Sequence, residues 1–405
     1  MRIALICDDY LPGSTRVSAK MMHELARELL QRGHEPVVVT PDCCIKSIYK
    51  VEQLDGVDIL RFRNGRIKDV SKLKRAMCET LLSYNGWKAV NSYFSNDVID
   101  AVIYYSPSIF FGPLVNKIKR KWSCPSFLIL RDSFPQWVID EGLIREDSLI
   151  CRYFRFFEKI NYQAADTIGV MSERNKELFL NMHPNIQSVE VLYNWCDTKE
   201  DAELDLRNKP DCITKIADKV IFLYGGNIGK AQDMGNLIRL AIAMKIYSNV
   251  HFIFIGQGDE YDFVSDSIKK YSLSNVSLFP SVSQDDFKTI LKFVHVGLFS
   301  LSKKHTAHNF PGKLLGYMKN SLPILGSVNS GNDLSDVINN NEAGCVCNNG
   351  DDNALLRAAI RLAIDQDYRY MCGQKANQLL HEKFSVTSAI DNIMKHLNKK
   401  TQGYN

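Results

Sequence analysis

The sequence predicts an α/β protein made of two Rossmann-like, doubly wound parallel-sheet domains that face each other across a cleft. Three observations predict it. Short apolar runs alternate with amphipathic segments along most of the chain. Several of those runs stop at glycine or polar residues, where a strand would hand over to a helix. The alternation also lapses once, after Trp195, into the charged stretch "CDTKEDAELDLRNKPDCITKIADK", which reads as the connection between domains. The expected boundaries are 1–196 for the first domain and 197–383 for the second. Residues 384–405 form a C-terminal helix and tail expected to pack back on the first domain. A chain of 405 residues is long enough for two such cores.

The elements follow in order. "RIALIC" is a buried first strand. In "STRVSAKMMHELARELLQRG", Val17, Met21, Leu25 and Leu29 fall at helical spacing, Met22, Ala26 and Leu30 widen the stripe, and Gly33 stands at the stop. "HEPVVVT" is the next strand, and a strand–helix–strand unit of this length implies a right-handed crossover. "VDILRF", "DAVIYYS", "SFLILRD", "TIGVMS" and "VEVLYN" are further strands. The second series runs "VIFLYGG", a helix near 234–247, "VHFIFIG", a helix near 259–271, "VSLFPS" and a helix near 284–293. It continues with "VGLFSL", a helix after Pro311, "LPILG" and "AGCVCN", and the rest is helical by period. In open sheets of this kind ligands bind beyond the carboxyl ends of the strands.

Composition excludes several classes. The net charge is only +4 in a chain with 45% hydrophobic residues, so nothing announces a nucleic-acid binder. The first apolar run is too short for a secretory signal, and no apolar stretch approaches the roughly 18–20 residues of a membrane span. The eleven cysteines lack CxxC pairs, an arrangement that suits a reduced, cytoplasmic setting. His183, His251, His295, His305 and His308 are scattered, so no metal site is expected.

Four strand exits of the second half carry the chemistry. "YGGNIGK" places Gly225, Gly226 and Gly229 where backbone amides can approach a diphosphate, with Asn227 and Lys230 beside them; a tight turn explains the glycines equally well. "FIGQGDE" repeats the theme with Gly256 and Gly258, and Asp259 and Glu260 suit a helix start as well as a ligand. "LFPSVSQDDF" offers backbone groups around Ser281 and Val282 to a nucleobase edge. "HNFPGKLLGYM" puts Pro311 near a helix start and Lys313 in its first turn, where the helix dipole repels a cation. A bound anion resolves that conflict, and so does solvation of the lysine.

The order and spacing of "RGHEPVVVT", "LYNWCD", "YGGNIG", "FIGQGDE" and "FPGKLLGYMKNSLPIL" resemble the retaining glycosyltransferases of family 4, which have the GT-B fold. The stretches "CDDYLPGSTRVSAKMMHELA", "RDSFPQWVIDEG" and "HTAHNFPGKLLGYMKNSLPILGSVNSGNDL" resemble the WbuB-like transferases of O-antigen and capsule clusters. That subgroup is associated with transfer of N-acetyl-L-fucosamine from its UDP form. The resemblance implies a UDP-sugar donor on the second domain, held by Gly225, Gly226, Asn227, Gly256, Gly258, Ser281, Val282, His308, Asn309, Gly312, Lys313 and Leu314. It places Ser14, Thr15, Lys20 and Arg131 on the acceptor side, and Asp132, Lys313 and Arg16 at the reacting centre. Asp132 could equally be a helix cap or turn aspartate.

Departures from the family pattern are visible. Where many members carry two glutamates with seven residues between them, this chain has His308 and Gly316. Asn227 replaces the usual arginine, and Gln232 or a displaced Lys230 the usual lysine. Ribose contacts must therefore come from elsewhere, and phosphate charge must rest on Lys313 with Arg16 or Lys20. No cofactor and no metal are expected, since amides, helix starts and a lysine can stabilise a departing diphosphate. The basic run "RFRNGRIKDVSKLKR" with Leu73, Met77, Leu81 and Leu82, and the segments "NKIKRKW" and "CRYFRFFEKI", suit either an anionic membrane surface or a solvated helix face. The expected acceptor is an undecaprenyl-diphosphate-linked saccharide at the inner face of the cytoplasmic membrane. A UDP-sugar 2-epimerase and a non-catalytic pseudo-glycosyltransferase remain alternatives. A nicotinamide dehydrogenase is disfavoured by "DDYLPGSTR" standing where its glycine fingerprint belongs.

Overall fold

The computed structural model describes residues 1–14, 16–67, 70–140, 142–199, 210–303 and 310–401. Contacts divide the chain into two units, Met1–Asp197 together with the segment from Val386 onward, and Thr198–Ser385.

Unit 1 contains β1 (Arg2–Ile6), β2 (Glu35–Asp42), β3 (Tyr49–Leu54), β4 (Val57–Arg63), β5 (Ala101–Ser106), β6 (Ser126–Leu130), β7 (Thr167–Val170) and β8 (Val189–Val191). They form one sheet in the order β3-β4-β2-β1-β5-β6-β7-β8, parallel except for β3. Alternate residues of β1 enter two different cores: Ala4 and Ile6 join Leu60, Phe62 and Phe111, whereas Ile3 and Leu5 join Met22, Leu25 and Leu29. A sheet covered on both faces reads as the near-continuous apolar runs seen in its strands. The helix Val386–Thr401 is part of this unit. Its Val386, Ala389, Ile390, Ile393, Met394 and Leu397, spaced three and four apart, complete the second core. Burying each of the larger ones contributes about 1.5–3 kcal/mol.

Two features of unit 1 differ from the sequence expectation. β3 has no counterpart there, because its residues are largely exposed and alternate only weakly; the turn Asp55-Gly56, with φ of +50° and +81°, is the two-residue hairpin that creates it. The basic run 61–75 is not one amphipathic helix either. Arg61 and Arg63 end β4, and Arg61 is buried, bonded to Glu52 and to the Leu11 carbonyl. The helix begins only at Lys72, and Leu82 is buried in the core while Met77 and Leu81 are exposed. Lys68 lies outside the described residues.

Unit 2 contains β9 (Val220–Asn227), β10 (Val250–Gln257), β11 (Val276–Phe279), β12 (Val296–Ser300), β13 (Ile324–Val328) and β14 (Gly344–Asn348), in the order β11-β10-β9-β12-β13-β14, all parallel. β9 and β12 lie side by side at the centre, where the strand order reverses. A crevice at such a reversal is where this class of sheet accommodates ligands.

Candidate active site

Unit 2 brings together three of the four strand exits singled out above. β9 and β10 run in parallel register to their ends, pairing Gly226 with Gly256 and Asn227 with Gln257. The pairing continues into the loops through Ile228 N to Gln257 O at 2.9 Å and Glu260 N to Ile228 O at 3.0 Å. The glycines make this approach possible. A Cβ on Gly256 would lie 1.8 Å from the Gly226 carbonyl oxygen, and one on Gly258, whose φ is +155°, 2.2 Å from that of Ile228. Gly225 is needed for a different reason: a Cβ there would meet the Phe287 ring at 2.3 Å. Asp259 accepts the Lys230 amide at 3.2 Å, and Glu260 accepts the Met234 amide at 3.1 Å. The acids of the second exit thus cap the loop of the first.

The helix Lys313–Lys319 enters this arrangement from the other side of β9. Its Tyr317 hydroxyl accepts the Gly225 amide at 3.1 Å and lies 3.2 Å from the carbonyl oxygens of both Leu223 and Leu298. One buried phenol therefore ties the helix to β9 and β12. Gly297 leaves room for it, since a Cβ there would lie 2.3 Å from the Tyr317 ring. With the helix fixed, Lys313 reaches back over β9. Its Nζ lies 3.6 Å from the centroid of the Tyr224 ring, and its Cε and Nζ would both be 3.5 Å from a Cβ on Gly226. Gly226, Gly256 and Lys313 therefore share one place at the carboxyl ends of β9 and β10. Burial of the amine end pushes the Lys313 pKa down from its ordinary 10.5 to about 7, although the residue as a whole is only half-buried. The first-turn conflict between lysine and helix dipole is thus met partly by an aromatic face.

Other expected donor residues stand as follows. Among the described residues nothing lies within 4 Å of a Cβ placed on Gly312. Asn227 is held by a bond from its Nδ2 to Gln232 at 2.8 Å. Ser281 and Val282 lie on the exposed segment after β11. Leu314 departs from expectation: its side chain is fully buried and its amide donates to the Pro311 carbonyl at 3.1 Å, so the helix turn consumes the groups it would offer. His308 and Asn309 lie outside the described residues, as do His305 and Thr15.

In unit 1 the segment after β1 is organised by Asp9. Ser14 Oγ donates to its carboxylate at 2.7 Å, and the Arg16 guanidinium lies 3.7 Å from it. Lys20 pairs with Glu24 at 3.7 Å. Arg131 departs from its expected acceptor-facing position. It is buried, its guanidinium contacts the carbonyls of Leu130, Gly169 and Tyr193 at 3.2–3.4 Å, and it lies over the Trp195 ring. Burial lowers its pKa to about 10. Asp132 keeps an open face, yet desolvation and then the Asp8 carboxylate raise its pKa, against the pull of Arg131. Sequence reasoning passed over Asp8. It also missed the buried chain in which the Tyr10 hydroxyl and His23 Nδ1 lie 2.8 Å apart and His23 Nε2 lies 3.0 Å from Asp55. It likewise set aside Cys43 and Cys44, whose donor atoms and that of Asp42 all lie within 4.8 Å of one another at the surface.

Residues 208–379, nearly all of unit 2, match the family model of Glycosyl transferases group 1. The second unit thus carries that family's sequence pattern. The chain is 26% identical over 235 residues to the probable glycosyltransferase WbjE of Pseudomonas aeruginosa, covering 57% of this chain and 58% of that one. It is 24% identical over 314 residues to the putative colanic acid biosynthesis glycosyl transferase WcaI of Escherichia coli, covering 72% and 74%. The match thus spans little more than half of the first relative's length. Among solved structures, Anabaena HepE in complex with UDP and glucose superposes with a TM-score of 0.64 at 13% identity, covering 98% of this chain and 100% of that one. The fold is therefore GT-B, two Rossmann-like α/β domains.

Proposed function

We propose that this protein is a retaining glycosyltransferase of bacterial surface-polysaccharide biosynthesis. It would move a sugar, with N-acetyl-L-fucosamine the favoured candidate, from a UDP-sugar donor to an undecaprenyl-diphosphate-linked saccharide. The observation that carries the reading is the convergence of Gly226, Gly256 and Lys313 at the exits of β9 and β10. Breaking the bond between the sugar and UDP builds negative charge on the departing diphosphate. A lysine ammonium held beside closely packed glycine turns stabilises that charge without a metal. Support also comes from the group 1 match over unit 2, from relatives named as glycosyl transferases, and from a structural neighbour solved with UDP. In this reading Ser14, Arg16, Lys20 and Asp132 of unit 1 serve the acceptor and its proton.

The lipid-linked acceptor implies peripheral attachment to the cytoplasmic leaflet. Among the described residues no helix is long and apolar enough to cross a membrane. Exposed Met77, Leu81, Phe156 and Leu149 occur on helices that also carry Arg75, Arg152 and Lys159, the mixture that binds anionic lipid surfaces. One experiment tests both parts. The protein is incubated with UDP-sugars and a short lipid-linked acceptor in anionic liposomes, and products are weighed by mass spectrometry. The expected result is acceptor plus one sugar, with the protein pelleting at low salt and released at high salt. Isomerised sugar without transfer would replace this reading with an epimerase, and protein left in the supernatant at low salt would remove the membrane part.

A further inference from the structure

The resting position of Lys313 carries a consequence of its own. Among the described residues no ion pair joins its ammonium to a carboxylate, and burial lowers its proton affinity. What it has instead is the face of Tyr224, at 3.6 Å. That ring is itself fixed. Tyr224 is fully buried on β9, and its hydroxyl donates to the carbonyl of Asn227, three residues further along the same strand exit. The phenol therefore braces the turn that contains Gly226 while its face holds the lysine over that glycine. Among the described residues, the charged or titratable groups around this arrangement have other partners. Glu260 accepts the Met234 amide, Asp259 accepts the Lys230 amide, and the Tyr317 hydroxyl is taken up by β9 and β12.

An aromatic face is a weak partner for a cation. It offers no counter-charge to offset the loss of water around the amine. A diphosphate offers both charge and strong acceptor oxygens. We propose that Tyr224 is the resting platform of Lys313, and that an incoming diphosphate draws the amine off the ring, so that capture of the anion is coupled to uptake of a proton. The step balances simply: the neutral amine takes one proton from solvent and becomes the ammonium that pairs with the anion. Tyr224 acts here as a positioning residue, through Lys313. The inference rests on the donor site described above and adds to it a platform and a proton.

The sign follows from the free-state value. With a pKa of about 7 in the free protein, most Lys313 is neutral at pH 8 and most is charged at pH 6. An adjacent anion raises the pKa, so binding at pH 8 takes up nearly a full proton and binding at pH 6 takes up almost none. UDP is the probe, titrated calorimetrically at both pH values in buffers of different ionisation enthalpy. In the wild-type protein the buffer dependence should report net proton uptake at pH 8 and no uptake at pH 6, where the terminal phosphate of UDP, titrating at about 6, can only release a proton. Lys313→Arg, whose cation cannot lose its proton, should remove the uptake. Tyr224→Phe keeps the ring and should keep the uptake. Tyr224→Leu should weaken UDP about tenfold, because the lysine is no longer held over the site, and should shrink the uptake. Binding of UDP with no proton uptake at pH 8 would overturn the inference and leave the donor site standing. Absence of UDP binding by the wild-type protein would overturn both.

Discussion

Lys313→Ala is expected to lower kcat/KM for the UDP-sugar by about 100-fold, close to 3 kcal/mol of transition-state stabilisation. The reason is specific to this site. Lys230 has its backbone amide tied to Asp259, but its exposed side chain is not held over Gly226, whereas the Lys313 amine is. Asn227, at the position where the resembled transferases carry arginine, has its side chain engaged with Gln232. In the proposed reaction the charge developing on the diphosphate therefore falls, on unit 2, chiefly to one amine. The fold should hardly notice the change. Tyr317, not Lys313, ties this helix to β9 and β12. Thermal unfolding followed by circular dichroism should shift by no more than a few degrees, while turnover collapses. Unchanged turnover would mean that the lysine serves no anion.

Gly256→Ala is expected to fail in the opposite way, through stability. Its Cβ would stand 1.8 Å from the Gly226 carbonyl oxygen and 2.9 Å from the carbon, both backbone atoms of the neighbouring strand. No side chain can rotate aside to relieve this. β9 and β10 would have to separate at their ends, breaking the register from Ile253 to Gln257 that sets both exits. Overpacking against backbone of this kind costs about 3 kcal/mol or more, measurable as a lowered denaturation midpoint. Gly312→Ala provides the contrast. Among the described residues nothing lies within 4 Å of a Cβ there, and its φ of −60° suits any residue. Its stability should be unchanged or slightly raised. Its affinity for UDP should fall, because the added methyl enters space assigned to the donor.

These two glycines also mark what a sequence can and cannot disclose. The alternation of apolar runs and amphipathic segments discloses both sheets, since buried parallel strands and one-sided helices leave different periods in the chain. The glycines at the ends of "FLYGG" and "FIFIG" disclose the exits. Why each glycine is there is not legible. Gly225 makes way for Phe287, Gly256 for a carbonyl, and Gly226 takes a φ of +119°, and the chain writes all three with the same letter. Arg131 shows the same limit for charge. Its place after β6 was readable, but its direction, back towards the carbonyls of Leu130, Gly169 and Tyr193, depends on residues distant in sequence. Tyr317 and Tyr224 look like ordinary core aromatics at helix and strand spacing. Only their hydroxyl partners, and the lysine over one ring, set them apart. β3 escaped notice because an edge strand facing water leaves little apolar pattern, although its Asp-Gly turn was in plain view.

The central claim is that the exits of β9 and β10, with the start of the helix at Lys313, grip the diphosphate of the donor. Hydrogen–deuterium exchange with and without UDP tests it most directly. Slower exchange is expected over residues 226–230, 256–260 and 311–316, with the helix Tyr261–Lys270 unchanged. Exchange unaltered at those three segments, or protection confined to unit 1, would contradict it.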